Sequence, residues 1–212
     1  MDLSSEGTSQ ATTPTTLVNT YHNQSTPPKP TERPEMVAFY NAADGVLRLA
    51  VEVARRVAQA HQTAATQMIN GDWSQVRKYF SLSDKYAAWA DYHTPAVGFG
   101  IHAYITHLNK PLRLTQAELE AHPEWRGFGV EREKHPPMRG WLVAPLIGSD
   151  GLNYGFLQAS DRVEGDFTED DEIAFVRLAA LTSTALDALA MAHLPEYREL
   201  ILGSGASTPG VE

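Results

Sequence analysis

The 212-residue chain has no cysteine, which excludes a disulfide framework, a thiolate zinc or iron–sulfur site, a thiol nucleophile and a thioether-linked chromophore. It has no continuous apolar run near the roughly 20 residues that span a bilayer. The start, MDLSSEGTSQ, lacks the basic and apolar regions of a secretory leader, so a cytoplasmic soluble protein is expected. Basic charge is scarce towards the C-terminus: residues 148–212 carry 3 Lys/Arg against 12 Asp/Glu, whereas residues 1–147 carry 14 of each, for a net charge of -9. An acidic surface repels phosphate backbones and anionic headgroups, so neither nucleic acid nor membrane is expected as a partner. GxSxG, GxxxxGK(S/T), HExxH and GxGxxG are all absent, so no common catalytic motif is present and no enzyme is expected.

What the chain does contain divides it into three. Residues 1–35 hold 17 Ser, Thr or Pro and too little apolar surface to offset the backbone entropy lost on ordering, so a disordered arm is expected. Residues 36–195 have the size and apolar content of one domain, and 196–212 read as a flexible tail. Within the domain, Val46, Leu49, Ala50, Val53 and Val57 follow a helical period after Asp44-Gly45. Thr63 to Ile69 and Trp73 to Leu82 read as strands, with Asn70-Gly71 as the hairpin signal between them. Residues 84–92 suggest a helical turn, and Gly98 to Leu114 a strand pair turning at Asn109-Lys110-Pro111.

Thr115 and Glu118 form a capping pair for a short helix stopped by Pro123; an irregular loop follows, then strands WLVAPLI and NYGFLQAS around a GSDG turn. Thr168 with Asp171 starts a final helix of roughly 25 residues with two apolar rows: Ile173, Val176, Ala180, Thr184 and Phe175, Leu178, Thr182, Leu186, Leu189. The order is helix, antiparallel strands with helical insertions, long helix, without repeats or βαβ units, so the class is α+β with an antiparallel sheet.

The stretch from Trp141 to Arg162, followed by Glu164-Gly165-Asp166-Phe167-Thr168-Glu169-Asp170-Asp171-Glu172, resembles GAF sensor domains, among them those ahead of bacterial sensor histidine kinases. The likeness covers roughly residues 44–193. Phe167-x3-Asp171-Glu172 is similar to the second half of the cyclic-nucleotide GAF signature, with Asp161-Arg162 standing where that signature has Asn-Lys. The resemblance implies a structural clamp of Asp161, Arg162, Phe167, Asp171 and Glu172, with Arg162 as a bidentate partner of Asp171. It also implies a GAF-like antiparallel sheet with the N- and C-terminal helices on one face and a ligand pocket on the other. Loops within 84–139 would cover that pocket, giving Trp89, Tyr92, His93, His102, Tyr104, Trp125, Phe128 and His135 as candidate ligand-binding residues.

Six of the eight histidines lie between His61 and His135, so haem or a metal enters the comparison. No HxxxH pair exists, and His102 and His107, read as strand residues, would point to opposite faces, so no metal or cofactor is assigned. Trp125 to Gly129 reads equally as a lid over ligand or as a structural Ω-loop. Arg126, Arg132 and Arg139 could meet an anion or form a solvated mixed-charge surface with Glu131 and Glu133. The resulting expectation is a non-catalytic small-molecule-sensing module that acts through its terminal helices, as a homodimer, on a separate histidine kinase or response regulator. The alternative is a protein-interaction or accessory subunit with an unused pocket, partnering a separate histidine kinase.

Overall fold

A computed structural model describes residues 33–69, 72–89, 100–127 and 136–203. Helix α1 spans Pro34–Val57, with proline in its first turn, where a missing N–H costs nothing, and Arg55 and Arg56 at the negative end of its dipole. It begins about ten residues before Asp44-Gly45, taking residues the composition assigned to the arm. Its inner face is Met36, Phe39, Tyr40, Ala43, Leu47, Ala50, Val51 and Ala54. The stripe read from sequence is only partly on this face: Ala50 belongs to the row and Val46 packs against it, but Leu49 and Val53 are 62% and 37% exposed. Ala43, Ala50 and Ala54 explain the choice, since small side chains let the helix sit close on the sheet.

Strands β1 (Ala60–Ile69), β2 (Asp72–Leu82), β3 (Leu112–Leu114), β4 (Trp141–Ile147) and β5 (Asn153–Arg162) form one antiparallel sheet in the order β2-β1-β5-β4-β3. The Asn70-Gly71 turn lies outside the described residues. A 3-10 segment, Asp84–Trp89, follows β2. The expected strand pair at 98–114 is instead helix α2 (Ile101–Leu108) followed by the three-residue β3. Ile101, Ile105 and Leu108 fall on one helical face, and left-handed Asn109 (φ 53°) closes the helix before Pro111 can be reached. His102 and His107 are therefore helical and about 140° apart around the axis, still not a chelating pair.

Helix α3 (Gln116–Ala121) has the expected capping box between Thr115 and Glu118. Helix α4 (Glu169–His193) starts as read, with Thr168 and Asp171 capping each other and four acids in the first turn. Its buried row is Asp171, Phe175, Ala179, Thr182, Ser183, Leu186 and Ala190. The other row is not a second core face: Ile173 is 41% exposed, and Ala180 and Thr184 are exposed too. Helix α5 (Pro195–Gly203) occupies the first part of the segment read as tail. Its Tyr197 hydroxyl donates to Asp187 Oδ1 at 2.7 Å, tying it back to α4.

Helices α1 and α4 pack side by side on one sheet face. Leu142, Ala144, Leu146, Leu157 and Ala159 meet Leu47, Val51, Phe175 and Leu186 in the main core there. The strands' alternation sends the intervening residues to the opposite face, where Trp141, Val143 and Phe156 pack with Ile101, Ile105, Leu119 and Met138. By length and apolarity α4 alone among the described helices would suffice to cross a membrane; its inner row is spent on this core.

Candidate functional site

The sheet face opposite α1 and α4 is an aromatic platform with a few placed polar groups. Register sets Lys78, Thr66, Phe156 and Pro145 in one row across β2, β1, β5 and β4, and Phe80, Ala64, Gln158 and Val143 in the next. Over the β4–β5 half, His102 of α2 stacks on Phe156 (5.7 Å between centroids, 17° between planes) and meets Trp141 edge-on at 5.6 Å. Trp141 Nε1 donates to Gln158 Oε1 at 3.0 Å, and His102 Nε2 lies 3.0 Å from the same oxygen. An oxygen that accepts from the indole requires a donor at His102 as well, so the Nε2 position carries a proton. A Gln on the sheet thereby fixes both a ring and a tautomer.

The other described candidates, Tyr104, Trp125 and Trp89, are not gathered here. Tyr104 lies against His122 at 5.0 Å, towards α3. Trp125 is partly buried against the Ile101–Trp141 cluster, which suits a packed loop anchor at that residue. Trp89 meets Tyr86 edge-on at 5.6 Å beyond the end of β2. Tyr92, His93, Phe128 and His135 lie outside the described residues. Among the described residues no group of three His, Asp or Glu is placed to hold a metal ion. Gln158, Phe156 and Lys78 lie on this face by strand alternation; their place follows only from the register of β5 on β1 and β4 for the first two and of β2 on β1 for Lys78.

The clamp forms, with two changes. Arg162 Nε donates to Asp171 Oδ2 at 2.8 Å, while its Nη1 donates to the Glu164 carbonyl, so the pair is single rather than bidentate. Asp171 also accepts from the Thr168 N–H (2.8 Å) and hydroxyl (2.9 Å). Burial alone would raise its pKa, but these donors and Arg162 together hold the carboxyl below its usual range. Phe167 is buried in the main core, and Glu172 pairs with Arg113 at 2.8 Å; Arg113 also reaches the Phe167 carbonyl at 3.3 Å. This second arginine, between Leu112 and Leu114 on β3, fastens the sheet's edge to α4, and nothing local in its sequence announces that role.

Asp161 does not join the Arg162–Asp171 pair. It is buried in the left-handed region (φ 58°), accepts from the Tyr86 hydroxyl at 2.5 Å and pairs with Lys85. Burial, then the neighbouring Asp161 carboxylate, pushes the Tyr86 phenol up.

Arg162→Ala is expected to destabilise by about 1–3 kcal/mol at neutral pH, from the lost charged hydrogen bond and packing. Because the folded pKa of Asp171 is depressed, its contribution is present above the unfolded value of about 3.9 and is lost as pH falls through the folded value. Urea melts should therefore show the variant's deficit shrinking as the pH is lowered through that window. An equal deficit at both ends of the range refutes the clamp as an ionic one.

A family model described as a GAF domain matches residues 41–187. Among solved structures, the blue-light-absorbing form of the PixJ GAF domain of Thermosynechococcus elongatus matches with a TM-score of 0.56 and 16% identity, over 79% of this chain and 95% of that one. The GAF domain of a phosphoenolpyruvate-protein phosphotransferase from Coxiella burnetii matches with a TM-score of 0.53 and 18% identity, over 74% and 95%. A type II free methionine-R-sulfoxide reductase from Thermoplasma acidophilum matches with a TM-score of 0.52 and 12% identity, over 71% and 96%.

Proposed function

We propose that this chain, which belongs to the GAF domain family, is a non-catalytic regulatory module that senses a small molecule on the sheet face opposite α1 and α4 and signals through those helices. The observation that carries the reading is the division of labour between the two faces. One is closed by the terminal helices; the other combines aromatic rings, Trp141 and Phe156 buried beneath α2 and His102 partly open above them, with polar groups held in fixed orientation, the composition of a ligand site. The want of any cysteine supports a non-catalytic role, since the thiol chemistry of a reductase has no residue to act through. A thermal-shift screen of cyclic nucleotides, aromatic metabolites, carboxylates and inorganic anions should give at least one saturable stabiliser.

The outer sides of α1 and α4 supply the output surface. Leu49 and Leu181 are 62% and 69% exposed, with Val53 and Ile173 also open to solvent. Pairing these helices with those of a second copy would bury them in a bundle, with a separate histidine kinase or response regulator as the downstream partner. Light scattering is expected to give a dimer at micromolar concentration, and Leu49→Glu with Leu181→Glu a monomer that melts no lower than wild type diluted below dissociation. A wild-type monomer at that concentration removes this part of the proposal. A second reading, an interaction subunit with an unused pocket, draws on His102, whose ring already covers part of the platform. In that case no compound stabilises the domain and only a protein partner does.

A further inference from the structure

Lys78 stands apart from the other described lysines: Lys85 is paired with Asp161, and Lys110 is exposed. Lys78 is half-buried on the central part of β2, and its ammonium has neither an ion-pair partner nor a hydrogen bond among the described residues. Tyr79 lies in the main core beneath α1, and Arg77 reaches the Tyr40 carbonyl of α1, so the period of two sends Lys78 to the opposite, candidate-ligand face. There it is opposite buried Thr66, with Phe156 next in the row. Val76 and Phe80 flank it on its own strand, and their partners Met68 and Ala64 are buried. Apolar surroundings thus meet one cation and one hydroxyl.

An ammonium withdrawn from water is costly unless an anion compensates it, and burial alone pulls the Lys78 pKa below the usual lysine range. A single cation balances a single carboxylate; a phosphate near two charges would call for further donors. Leaning on the sensing role proposed above, we infer that Lys78 is the counter-ion of a small ligand bearing one carboxylate on an apolar body, seated on the β1–β2 half of the sheet face.

The test uses the full chain with benzoate, phenylacetate and isovalerate, the corresponding neutral amides, and inorganic phosphate, in wild type, Lys78→Met and Lys78→Arg. At least one carboxylate should bind wild type saturably and about tenfold more tightly than its amide, with Lys78→Met losing that preference and Lys78→Arg keeping it. Without ligand, Lys78→Met should melt above wild type, as an uncompensated charge is removed, and Lys78 should titrate below the other lysines by NMR of its Cε. The NMR titration needs no variant to fold. The inference is overturned if carboxylate and amide bind alike, if phosphate binds in preference, if Lys78→Met binds unchanged, or if no carboxylate of the panel binds wild type. In each of those cases a saturable nucleotide or other compound in the wider screen would leave the sensing role standing, so the two fail separately.

Discussion

Gly155→Ala is expected to cost about 4 kcal/mol or more, at the extreme of single substitutions, and to give insoluble or unfolded protein in ordinary expression. Gly155 lies in β5 between β1 and β4, with φ at +141°, where an L side chain is strained wherever space permits. Space does not permit: a Cβ would fall 1.8 Å from the Thr66 carbonyl oxygen and 3.1 Å from the Gln67 Cα. Both are backbone atoms of β1, so relief requires separating the central strands rather than turning a rotamer. The Gly155 N–H donates to Asn153 Oδ1 at 2.6 Å, and Asn153 Nδ2 donates to Asn109 at the end of α2 at 2.7 Å, so displacement would also disturb the helix over the candidate site. Thermal unfolding should fall by about 8–16 °C for a domain of this size if the variant survives at all. A soluble Gly155→Ala protein melting within about 2 °C of wild type would falsify the close approach of β1 and β5.

The same glycine shows what is legible without coordinates. An isolated Gly within the strand pattern NYGFLQAS marks a close backbone approach, but which strand approaches depends on register with a segment some ninety residues earlier. Local signals fared well: Thr115–Glu118 and Thr168–Asp171 cap the helices they announce, because a capping box is complete within four residues. Rows were harder. On α1 and α4 two apolar rows compete, and periodicity gives no weight to the alanines that decide which can sit close to the sheet. The segment 98–114 failed because Ile, Tyr and Thr favour strands on average, while Ile101, Ile105 and Leu108 share a helical face with a core to fill. At the site, composition points to His102 alone. Its partners Gln158 and Phe156 come from β5, and nothing local marks Lys78, since its lack of a carboxylate partner among the described residues is a property of three dimensions.

Trp141→Ala should cost about 3–5 kcal/mol, a loss of roughly 6–20 °C in melting temperature, and should release α2 from the sheet. Trp141 is completely buried and packs with Ile101, Ile105, Leu119, Met138, Val143 and Phe156. Truncation leaves a large apolar cavity that strand β4 cannot collapse, since it pairs on both sides with β3 and β5. It also removes the indole donor from Gln158 and the edge-on partner of His102, leaving that imidazole held by Gln158 and Phe156. Trp141→Phe separates the two effects: most of the volume returns without the N–H, so a deficit of only about 1 kcal/mol is expected. Hydrogen exchange supplies the local readout. Amides of Ile101–Leu108 should lose protection in the Ala variant and largely keep it in the Phe variant, because α2 docks chiefly through apolar contact with this ring and its neighbours. Equal protection in wild type and Trp141→Ala would mean that α2 is held by other contacts. The tryptophan would then be core filling with no part in shaping the ligand face.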